Sequence, residues 1–249
     1  MYLNEEITKN RISIVETPKE LVEPVARILE LGKEEAINRN WNFKSGASPI
    51  PNLPKSLSMY FIVWLLLNNV NDIIENINLV LNDLKIMRDD PALLDQDMFG
   101  DIVLRYKLLV RTYFYEFYRF KECYNSFLTY CRNLGACDAK QVKELRSLFY
   151  EMFKENIQVR REMVHYTYLW SGEKHGRLLM ASFAESTGGL LLNNKTFYLI
   201  DKCGVLSELT DDAIKLFFYE GSRIRNFFSE AIECFSKSVD QIQKSEQEK

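Results

Sequence analysis

The sequence predicts an all-α protein, an up-and-down bundle of four to five long helices carrying a small irregular or β-hairpin insertion. Three observations lead there. Gly and Pro are scarce, 10 and 6 in 249 residues, so few points along the chain stop a helix. Hydrophobic residues make up 47% and aromatic residues 13%, enough to fill a large core. Long stretches repeat apolar residues at intervals of three and four.

The first such stretch opens at Pro18, preceded by the capping residue Thr17, and runs to about Asn40 through Leu21, Val25, Ile28, Leu29 and Ile37. Pro24 inside it is expected to kink the helix. Pro49, Pro51 and Pro54 then forbid helix, so this segment reads as a linker. A second helix spans Ser56 to about Arg88, apolar nearly all round at first and amphipathic from Val70 onward through Ile77 and Leu84. Pro91 breaks the pattern, and a third helix follows from Ile102 to Arg132. Its large side chains include Leu104, Leu108, Tyr115, Tyr118 and Tyr130, which puts it at the centre of the bundle or at a subunit contact.

Gly135 suits a left-handed helix end and Asp138 the next N-cap, so the third and fourth helices should be antiparallel neighbours. The fourth runs from Asp138 to about Tyr168. Residues 171–209, punctuated by Gly188, Gly189, Asn193 and Asn194, read as a hairpin or irregular cap. Thr210 or Asp211 caps the last helix, which ends near 244. The expected organisation is a single domain, 1–249. Residues 1–55 form a helix and linker, 56–170 and 210–244 the bundle core, and 171–209 an insertion. No repeat of fixed period stands out.

Composition narrows function by exclusion. Thirty-two Lys and Arg stand against 35 Asp and Glu, a net charge of -3, so any surface for a polyanion has to be local. Five cysteines without metal or redox spacing read as reduced, mostly packing thiols, and no cofactor or metal is expected. The apolar run at 59–67 is about half the length of a membrane span, and the first residues lack signal-peptide character. The expectation is a soluble cytoplasmic protein with no membrane partner. Phosphate-loop, HExxH and GxSxG motifs are absent, and a di-iron bundle would need a second Glu-x-x-His beside Glu162 and His165.

One constellation remains, at the end of the fourth helix, where Arg160 and Arg161 precede His165. Histidine moves protons near neutral pH and arginine holds phosphate oxygens, a combination suited to phosphodiester chemistry. Residues 105–161 carry twelve basic against six acidic side chains, so this part of the chain is net positive. Tyr166, Tyr168 and Trp170 supply rings that stack on bases or pack in the core. Arg223, Arg225 and His175 are weaker candidates, better read as a salt-bridged face and a loop residue.

A helical bundle with Arg, four to six residues, then His near the end of a core helix resembles the HEPN superfamily. This chain meets the pattern as Arg160-x4-His165. The resemblance implies a homodimer whose two motifs face one cleft, and a metal-independent endoribonuclease of a toxin or defence system. His165 would be the general acid or base and Arg160 would stabilise charge on the phosphorus. Arg161 and the tyrosines 166 and 168 would contact RNA. Arg161 departs from the small polar residue usual after the Arg, which also fits a member kept for binding or assembly. Two functions from different classes therefore stay open: RNA cleavage, and a helical module that dimerises or recruits a partner protein. A regulator binding a small molecule inside the bundle has less behind it.

Overall fold

The computed structural model describes residues 11–38, 55–90, 101–165, 173–187 and 202–247, and within these the side chains of all but 34–38, 55, 162–165, 173–175, 185 and 240–247. All regular structure among them is helical: α1 (Lys19–Asn38), α2 (Lys55–Asp89), α3 (Ile102–Asn133), α4 (Ala139–His165), α5 (Glu173–Ser186) and α6 (Lys202–Gln247). The protein is all-α. It divides into two compact units, one of Met1–Ser13, Ile73–Phe120 and Phe149–Arg223, the other of Ile14–Asp72, Lys121–Leu148 and Ile224–Lys249. The division falls inside α2, α3, α4 and α6, so no shift in composition marks it.

α2 is the core helix. Tyr60, Val63, Leu67, Val70, Ile74, Ile77, Leu81 and Leu84 alternate in steps of three and four, and all are buried. That is an unbroken heptad seam, the pattern that lets a helix keep one stripe against its neighbours. By length and composition α2 is also the one described helix able to cross a membrane. Its seam is instead sealed by the protein itself.

In the first unit, α3 and α6 run in the same direction: Tyr113 stacks on Phe217 with ring centroids 3.7 Å apart, and the Tyr106 hydroxyl donates to the Leu209 carbonyl at 3.4 Å. Both pairs have nearly the same offset in sequence. α2 runs against α6, since Arg88 pairs with Asp211 at 3.5 Å while Ile77 lies beside Gly221. In this unit the chain before α1 lies on α2. Asn78 accepts a hydrogen bond from the Ile12 amide and donates to the Ile12 carbonyl, both at 2.9 Å. A Cβ on Gly221 would fall 2.3 Å from the terminal methyl of Ile12, so Ile12 packs directly on the glycine and its side chain would have to shift for any other residue there.

In the second unit, Asn71 holds Val15 in the same two-bonded way, at 2.8 and 3.0 Å. The α3–α4 reversal lies here. Gly135 has φ 69°, its amide donates to the Arg132 carbonyl, and the Ala136 amide donates to that of Cys131, the double bond of a left-handed helix end. Asp138 caps α4 through the amides of Lys140 and Gln141, and Gln141 accepts from the Asp138 amide. Arg146, two turns into α4, reaches the Asn125 carbonyl and Thr129 Oγ1 well before the end of α3, so the two helices are antiparallel.

Several expectations are corrected. Residues 173–186 of the expected insertion form α5, because Leu178 and Ala181 bury one face and outweigh the helix-weakening Gly176. His175 is thus helical. α6 begins at Lys202, eight residues before the expected cap, since Val205, Leu206 and Leu209 continue its buried stripe. Thr210 is buried within the helix and donates to the Leu206 carbonyl at 2.5 Å. The Gly188 to Asn194 segment lies outside the described residues, as does the proline linker. α1 contains Pro24, as the apolar spacing on both sides of it predicts. Of the five thiols, Cys131 alone is buried; Cys203 and Cys234 are exposed.

Candidate functional site

The site begins with a bend. α4 leaves helical geometry at Phe153 (φ −123°, ψ 19°), and its last three turns, carrying Arg160, Arg161 and His165, set off in a new direction. Side chains from α6 hold both sides of the bend. Arg223 Nη2 donates to the Met152 carbonyl at 3.3 Å, and the buried Asn156 donates to Glu220 Oε2 at 2.8 Å. Arg223 in turn binds both oxygens of Glu220, at 2.8 and 2.9 Å, and its guanidinium sits 5.6 Å from the Phe153 ring centroid. The Phe153 ring packs edge-on against Phe117 of α3, with centroids 5.8 Å apart.

Most partly buried arginines in this unit are neutralised. Glu116 takes Arg119 at 2.6 Å, Glu220 takes Arg223, Asp89 takes Arg88, Asp83 takes Arg105 at 3.4 Å and Glu208 takes Arg177 at 3.3 Å. Arg160 is held differently. Its guanidinium carbon lies 3.9 Å above the centre of the Tyr118 ring, and among the described residues no carboxylate or hydrogen-bond acceptor engages it. Packing against a ring face fixes the plane of a guanidinium while leaving its in-plane N–H donors unspent.

The remaining residues singled out in the sequence are placed as follows. Arg161 is exposed beside Arg160. His165 is the last residue of α4, five residues from Arg160, which on helical geometry is a rise of about 7.5 Å and a turn of about 140°. Its side chain, and all of Tyr166 and Tyr168, lie outside the described residues. Arg225 is taken up by the Ile14 carbonyl at 3.1 Å, in the second unit. Among the described residues no three His, Cys, Asp or Glu side chains group to hold a metal.

Tyr118, Asn156, Glu220 and Arg223 are site residues that sequence reasoning missed. A signal for part of this set exists. Phe-Tyr-Glu-x-x-Arg occurs twice, at 114–119 and 218–223, at the same offset as the stacked pair Tyr113 and Phe217. Both glutamates are buried and each binds the arginine three residues on. The Tyr113 hydroxyl is buried with no hydrogen-bond partner among the described residues, and burial, with the Glu220 carboxylate second, raises its pKa well above the usual phenol value.

No family model, curated protein or solved structure matches this chain.

Proposed function

We propose that this chain is a HEPN-like helical bundle, cytoplasmic and acting as a single domain, that cleaves RNA without a metal at the end of α4. The observation that supports this reading above all is Arg160, half-buried on the face of Tyr118 and engaged by no acceptor among the described residues. An arginine so held suits an anion whose charge grows during reaction, as on phosphorus in attack by a ribose 2′-hydroxyl. His165, one turn further on, takes the proton of that hydroxyl or delivers one to the leaving oxygen. Arg161, Tyr166 and Tyr168 are the residues assigned to contact with the RNA strand. The place of such a protein is in a toxin or defence system.

The test is to incubate the full chain, Arg160→Ala and His165→Ala with single-stranded and hairpin RNA in the presence of a chelator. Cleavage by the wild type, leaving cyclic phosphate ends, with a fall of about 10² or more for each variant, is the expected result. Equal activity in all three, or none in any, would sink the reading.

A second reading has its own support. Leu104, Leu108 and Tyr115 are 64%, 61% and 60% exposed and lie on one stripe of α3. A row of large apolar side chains turned outward, with the exposed Arg111 among them, fits a helical interaction module, either a homodimer built on α3 or a docking face for a partner protein.

A further inference from the structure

We infer that Tyr118 is a positioning residue for Arg160, holding the guanidinium by its face so that its edge is delivered to a phosphate. The inference rests on the reading of Arg160 as a phosphate-binding group.

Two ways of fixing an arginine coexist in the first unit, and they differ in what they consume. Glu220 takes two donor contacts of Arg223 and neutralises it, and Glu116 does the same to Arg119 through one. An arginine held so has spent the charge and the donors that a phosphate would need. Tyr118 offers no negative charge to the guanidinium 3.9 Å above it, and the contact uses only the π face. A planar cation held by its face, with no acceptor on it among the described residues, is the form that binds phosphate oxygens in pairs.

The scaffold around this contact is rigid where it needs to be. Phe117, adjacent to Tyr118, is buried against Phe153 at the bend of α4, which sets α3 and α4 in register. Asn156, one turn before Arg160, is tied to Glu220. With the backbone on both sides fixed, the long Arg160 side chain is the mobile part, and the ring face restricts it. An unrestrained arginine would lose that rotamer freedom on binding, at a cost to affinity.

The experiment is a double-mutant cycle on binding, read by fluorescence anisotropy with a 2′-O-methyl RNA oligonucleotide, which lacks the attacking hydroxyl. Wild type, Tyr118→Phe, Tyr118→Leu, Arg160→Ala and Tyr118→Leu/Arg160→Ala are compared, with cleavage of unmodified RNA measured in parallel and circular dichroism melting used to confirm folding. Should the leucine variant not fold, Tyr118→Gln takes its place in the cycle. Tyr118→Phe should bind within about twofold of wild type and Tyr118→Leu about five- to tenfold more weakly, the range of a partly desolvated cation–π contact. In the Arg160→Ala background Tyr118→Leu should have no further effect. A Tyr118→Leu loss that persists without Arg160 means that the ring touches RNA itself, and overturns the inference. So does full binding by Tyr118→Leu when Arg160→Ala is impaired, which leaves the reading of Arg160 intact. Absence of RNA binding by the wild type overturns both.

Discussion

Asn78 shows how much one polar side chain does on an apolar helix. It satisfies both backbone groups of Ile12, a residue itself buried, and water has little access to replace it. Asn78→Leu therefore leaves a buried N–H and a buried C=O without partners, each costing about 1–3 kcal/mol. The urea midpoint of this variant should fall by an amount corresponding to roughly 2–4 kcal/mol, and that of Asn71→Leu by less, because Asn71 is only half-buried and water can stand in. An unchanged midpoint for Asn78→Leu would show that the Ile12 contact is not maintained in solution. Neither asparagine was legible beforehand. Each sits on a helix face whose apolar pattern says only that the face is buried, and the partner is 56 to 66 residues away with no periodicity of its own. Arg160 was legible as a charged residue near His165, but not as an arginine on a ring. Tyr118 looked like one more aromatic residue on an aromatic helix.

Elements were legible where burial and spacing agree. The ends of α3 and α4 follow from Gly135 and Asp138, because a left-handed helix end and a capping carboxylate are local chemistry. α5 and the first turns of α6 were not, because Gly188, Gly189, Asn193 and Asn194 read as punctuating the whole of 171–209, whereas tertiary burial of Leu178, Ala181, Leu206 and Leu209 decides the helices on either side. For α3 the aromatic content suggested either the bundle centre or a subunit contact, and the helix has one buried face and one exposed face. Tyr106, Tyr113, Phe117, Phe120 and Tyr124 are buried, while Leu104, Leu108 and Tyr115 face outward. That outward stripe makes a prediction at the level of the helix. If α3 joins two copies, sedimentation at micromolar concentration gives a dimer for the wild type and a monomer for Leu104→Lys/Leu108→Lys, with helical circular dichroism unchanged. A wild type that is monomeric at that concentration removes the homodimer and leaves the stripe to a partner of another kind.

At the scale of the whole molecule, the proton-holding groups buried in both units act together. Burial raises Tyr106 and Tyr113 in the first unit and pushes Tyr124 and Cys131 up to about 12 in the second. In the unfolded chain the same thiol and phenols give up their protons near their ordinary values, about 8.5 and 10. Below pH 8 both states keep these protons, and the groups leave stability untouched by pH. From about pH 8.5 upward the unfolded chain deprotonates first while the folded chain holds on, so stability falls with rising pH and continues to fall until the folded groups ionise near 12. The urea midpoint should thus be flat through neutrality and decline steadily above about pH 9. The absorbance of tyrosinate should rise in two stages, exposed phenols first and the buried set only together with loss of helical circular dichroism. A midpoint that holds constant to pH 11, or a single smooth tyrosinate titration in the folded protein, would mean that these side chains reach water without unfolding and that the two units are looser than their packing implies.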